Sequence, residues 1–149
     1  MYSAQTIADH IINWCNDRKL PISNLKLQQL LYFCQLDFAI LLEKRLIQED
    51  FFAYKLGPLI PSVYEPFLPY ASSSIHRRPI CDPIDPDDTR WIEIILAKYA
   101  AMKVWDLCAI ACEQDPYKYN YMIFGDRAII PYLSIEWFAK SKNKNFKFL

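Results

Sequence analysis

Only two glycines, Gly57 and Gly125, occur among the 149 residues. That scarcity excludes the Gly-rich loops that cradle nucleotide phosphates, because such loops need several glycines within one turn. Histidine is as rare. His10 and His76 lie far apart, and neither has a serine or cysteine beside it in a nucleophile motif. Neither sign of charge is in excess: Lys plus Arg and Asp plus Glu number 17 each, so the formal net charge is zero. A dedicated nucleic-acid binder carries a basic surplus, so no direct nucleic-acid partner is expected. Zero net charge also leaves little self-repulsion to oppose association. No apolar run approaches the ~18 residues that span a bilayer. The opening MYSAQTIADHIINW lacks the basic and apolar regions of a secretory signal. The expected location is the cytoplasm, with no membrane partner.

The five cysteines, Cys15, Cys34, Cys81, Cys108 and Cys112, are an odd number and suit a reducing compartment better than a disulfide framework. Cys108 and Cys112 stand one helical turn apart, yet no CxxC or histidine lies at zinc-site spacing. Asp82, Asp85, Asp87 and Asp88 cluster, but prolines occupy the stretch and the closing glutamate of a calcium loop is missing. His76, Arg77 and Arg78 make too small a basic group to argue for phosphate. The expectation is no catalytic residue, no metal and no cofactor.

What is present is apolar: hydrophobic residues make up 53% of the chain and aromatic ones 15%, against 23% charged. That balance and length fit one folded domain with a real core. We expect a domain over residues 1–140 and a basic tail, 141–149, that frays. Ile7, Ile11, Trp14 and Cys15 recur at helical spacing, which predicts a helix over 3–18. Ser23 or Asn24 caps a longer one to about Arg45, whose stripe is Leu27, Leu30, Leu31, Cys34, Phe38, Leu41 and Leu42. Phe33, Leu36 and Ile40 fall off that stripe, so this helix should be central and covered on several sides.

Over residues 46–60 the helical period gives way to β-favouring aromatics, interrupted by Gly57-Pro58. One or two short strands around a Gly-Pro turn are predicted there. Pro61 can open a helix through Val63, Tyr64 and Phe67, with Pro66 keeping it short or bent. Residues 71–88 form a loop. Asp87 or Asp88 then caps a helix at about 89–101, and another follows at 103–114. After Asp115 and Pro116 an irregular stretch is expected, then a last helix at about 130–140. The fold class is mainly α, a single helical domain with a small β element around residues 50–60.

LKLQQLLYFCQ (25–35) followed by FFAYKLGPLIPSVYEPF (51–67) resembles the Panacea domain family, the SocA-like phage-associated proteins. Leu25, Lys26, Leu27, Gln28, Leu30, Leu31 and Tyr32 match the family's helix. Ala53, Gly57, Pro58, Pro61, Val63 and Tyr64 match its Gly-Pro segment. The likeness runs over about residues 4–139. Gln29 stands where the family has lysine, Tyr54 where it has tryptophan, Phe52 where glutamate is common, and Cys112 where histidine is frequent. The resemblance implies an antitoxin, not an enzyme, that neutralises a cognate protein toxin by direct binding, and an adaptor that delivers the toxin to a Clp-type AAA+ protease. The alternative is a prophage- or host-interaction adaptor with no toxin partner.

An antitoxin needs a surface that can be desolvated, and such surfaces are rich in tyrosine and tryptophan. Tyr54, Gly57, Pro58, Leu59, Ile60 and Tyr64 supply a rigid aromatic turn. Pro116 and Tyr117, with Tyr119 and Tyr121, supply a second aromatic stretch. These tyrosines could equally close the core.

Overall fold

A computed structural model of the chain describes residues 1–147. Helices α1 (Ala4–Asp17) and α2 (Asn24–Leu42) come first, then a hairpin of β1 (Phe51–Tyr54) and β2 (Gly57–Leu59). A short α3 (Pro61–Tyr64) runs into a 3-10 helix (Glu65–Tyr70). Next come α4 (Pro86–Tyr99), α5 (Val104–Glu113) and α6 (Asp115–Phe124). β3 (Ala128–Ile130) and α7 (Tyr132–Lys147) end the described chain. The mainly α class with a small β element is as the sequence indicates. The sheet, however, has three antiparallel strands in the order β2-β1-β3.

Helix α2 is the axis of the molecule. Ser23 caps it, its side chain accepting from the Lys26 N–H at 3.2 Å. Leu27, Leu30, Leu31, Cys34 and Phe38 are buried, and so are Phe33 and Leu36 on the other faces. The helix packs on α1, α4, α5, α7 and β2. Each large apolar side chain buried this way contributes about 1.5–3 kcal/mol. Its length and composition alone would let α2 cross a membrane, but most of it lies inside the fold. It stops at Leu42 rather than Arg45 because Glu43 turns left-handed, with φ 54°, a common way to end a helix.

Three other expectations are corrected. Residues 115–124 are a helix, not an irregular stretch: Pro116 sits in the first turn of α6, where its missing N–H has no intrahelical role. Helix α4 begins at Pro86, with the Asp85 side chain accepting from the Asp87 N–H at 2.9 Å, so the cap is neither Asp87 nor Asp88. Helix α7 continues past the expected end near 140 to Lys147; of the tail expected to fray, 141–149, the last two residues lie outside the described residues.

The loop after the 3-10 helix is strapped across α1. Asn13 Nδ2 donates to the Pro79 carbonyl at 2.9 Å, and Asn16 Nδ2 to that of Arg77 at 2.8 Å. The Ile75 N–H bonds the Ile22 carbonyl at 2.8 Å. Arg78 pairs with Asp17 on the surface.

Candidate interaction surface

Three fully buried glutamines on α2 hold the segment that follows it. Gln28 Oε1 accepts from the Ile60 N–H at 3.0 Å, and Gln29 Nε2 donates to the Pro58 carbonyl at 3.2 Å. Those two backbone groups lie on the outer edge of β2, where no strand is available. The glutamines therefore act as the missing neighbour and cover an edge that would otherwise be unpaired. Pro58, which has no N–H to offer, fits an edge position. Gln28 Nε2 bonds Asn24 Oδ1 at 3.3 Å, and Asn24 Nδ2 donates to the Tyr64 carbonyl at 2.9 Å, tying α3 to the same helix. Gln35 does likewise for the approach to β1, accepting from the Leu46 and Ile47 N–H groups at 3.0 and 2.9 Å. Of the three, the sequence marks Gln28 as a match to the family motif and Gln29 as a departure from it, and gives Gln35 no role.

The hairpin reverses at Lys55 and Leu56, with Tyr54 paired to Gly57. Two-residue hairpins usually need positive φ within the loop, but neither loop residue has it. The unusual angle falls on Gly57 instead, at φ +148°. So Gly57 opens β2 rather than centring the turn.

On its other side the hairpin is clamped by α5 and α6. The Tyr117 hydroxyl donates to the Tyr54 carbonyl at 2.7 Å, and Cys112 Sγ lies 3.8 Å from the Leu56 carbonyl. Burial raises the Tyr117 phenol, with Cys112 adding to the shift. Burial also pushes the Cys108 thiol up to about 11 and raises that of Cys112, so both stay protonated near neutral pH. Among the described residues no group of three His, Cys, Asp or Glu is placed to hold a metal.

Of the residues singled out for docking, Gly57, Pro58, Leu59, Ile60, Pro116 and Tyr117 are buried. These residues shape the hairpin and its clamp. Tyr54 and Tyr64 remain partly exposed, their rings 6.4 Å apart, and the Arg127 guanidinium lies 5.2 Å from the Tyr54 ring. The Panacea-like positions Leu27, Leu30, Leu31, Tyr32, Ala53 and Val63 are core. Leu25, Lys26 and Pro61 are partly exposed.

The exposed side of the hairpin borders an apolar groove of about 350 Å³. Leu25 and Tyr64 line it together with Leu56, Leu68 and Trp105, which are 50%, 51% and 62% exposed. Ala71, on its wall, holds a positive φ of 51°, uncommon for a residue with a Cβ. Sequence reasoning missed Trp105. The signal was there: it stands off the Leu107, Cys108, Ala111 stripe of α5, so its indole has to face outward. A second apolar groove, of about 520 Å³, lies between α6 and α7.

No protein-family model matches the chain. No solved structure matches it either. The chain is similar to the protein named Antitoxin SocA from Caulobacter vibrioides (strain NA1000 / CB15N), 30% identical over 120 residues, with 72% of this chain covered. It spans 64% of that relative's length, just short of two thirds.

Proposed function

We propose that this chain is a Panacea-type, SocA-like antitoxin of the cytoplasm that neutralises a cognate protein toxin by binding it directly, with no catalytic step of its own. The observation that carries this reading is the 30% identity to an antitoxin over most of the chain. The groove beside the hairpin is where the toxin docks. Large apolar side chains stand exposed around it, and α2 and α6 hold its hairpin wall through a buried and a part-buried hydrogen bond. A pre-formed wall loses little conformational entropy on binding. Tyr64 contacts the toxin within the groove and Tyr54 at its margin; Gly57, Pro58, Leu59, Ile60, Pro116 and Tyr117 keep that wall in place. The proposal extends to delivery of the bound toxin to a Clp-type protease, the adaptor role that the Panacea resemblance implies.

The test is co-expression with the product of the neighbouring gene. Co-purification of the two chains, with growth restored, is the expected result. Loss of the toxin only when the protease is present would add the adaptor role. No complex and no rescue would favour an adaptor without a toxin partner.

A further inference from the structure

The groove between α6 and α7 lies apart from the hairpin groove, and no lining residue is common to the two. Its walls carry Tyr119 and Ile123 from α6 and Leu133 and Trp137 from α7, all about half to more than two-thirds exposed. At roughly 200 Å² for a fully exposed large side chain, these four alone present about 500 Å² of mostly apolar area. That lies in the upper half of the roughly 300–600 Å² of the largest patch a monomer leaves bare. It is also most of the ~800 Å² that each partner contributes to a standard interface. Met122 and Phe124, next along α6 and also exposed, extend the apolar stretch.

We propose that this α6–α7 face joins two copies of the chain in a two-fold dimer. Self-association requires a face that does not repel its own copy. Asp115 is the one charged residue among those lining the groove. Of the neighbouring charges, Lys140 Nζ lies 3.0 Å from Glu136 Oε1 and Lys118 Nζ 3.8 Å from Glu113 Oε2, while the Lys142 ammonium sits 5.0 Å from the Phe138 ring. The whole chain has zero formal net charge, so long-range repulsion does not oppose the approach. Trp137, 70% exposed at the groove's edge, is the side chain placed to enter the groove of the second copy, where a desolvated indole serves as an anchor. The dimer does not depend on the toxin-binding reading, because it uses a different face.

The experiment is light scattering and sedimentation of the purified full chain at about 50 µM, since dimer population depends on concentration. The expected mass is twice the 17.6 kDa of one chain. Trp137→Glu and Ile123→Glu should each weaken the dimer at least about 30-fold, the scale of a lost interface anchor, with circular dichroism unchanged. Trp105→Glu should leave the dimer intact. A wild-type mass of one chain overturns the proposal, as does a dimer that survives both substitutions. Wild-type monomers that lose toxin binding on Trp137→Glu also overturn it, and assign the face to the toxin.

Discussion

The Gln29 side-chain amide lies 3.0 Å from where a Cβ on Gly57 would stand. Space and backbone angle thus both demand glycine at position 57. Gly57→Val would force a β-branched residue into φ +148° and push Gln29 off the Pro58 carbonyl. The conformational strain alone is about 1–3 kcal/mol. At about 2–4 °C per kcal/mol for a chain of this size, thermal melting should fall by several degrees. A melting curve that overlays the wild type would show that the hairpin tolerates the side chain.

Tyr117 holds the hairpin by its hydroxyl, so the expected effect of Tyr117→Phe is on stability. The lost donor leaves the Tyr54 carbonyl with the weaker alternatives of a part-buried site, a cost of about 1–2 kcal/mol. Urea unfolding reads this as a lower midpoint with an unchanged slope. Wild-type stability combined with failed toxin binding would instead make Tyr117 a direct contact.

Acid should weaken the fold through His10. Its Nε2 is buried without a hydrogen-bond partner, 3.9 Å from Glu93 Oε1. Burial lowers its pKa below 6.5; Glu93 opposes that shift and Arg18 adds to it. The folded state keeps the ring neutral while the unfolded chain takes up a proton near pH 6.5. The contribution is therefore complete above 6.5 and is lost as pH falls toward the lower folded value. Asp37 and Asp9, both raised mainly by burial, act with the opposite sign above 3.8. His10→Gln isolates the histidine: stability measured from pH 7 downward should fall less steeply in the variant. Equal slopes would place His10 in contact with water.

How much the sequence revealed follows from how local each signal is. The periods of α1 and α2 are set within one turn, and both helices appear where the spacing puts them. Pro61 opens a helix as read. Pro116 does the same in the first turn of α6, where an irregular stretch is expected after Asp115 and Pro116. β3 was invisible because it is three residues long and pairs with Phe51, Phe52 and Ala53, far away in sequence. The glutamines of α2 read as motif letters; that they bond the outer edge of β2 depends on a hairpin some thirty residues on. Leu133 and Trp137 share a helix with buried Ile135 and Ala139, yet face outward, which only the placement of α7 decides.

The central claim is that the toxin docks in the groove beside the Gly57 hairpin. Growth rescue by the chain co-expressed with the product of the neighbouring gene tests it most directly, with Trp105→Ala and Leu56→Asp as the variants. Both residues are exposed, so both proteins should fold and melt as the wild type does. Removing such an anchor typically costs 2 kcal/mol or more of binding, about 30-fold in affinity. The account predicts that Leu56→Asp abolishes rescue and Trp105→Ala weakens it severely. Full rescue by both folded variants would contradict it.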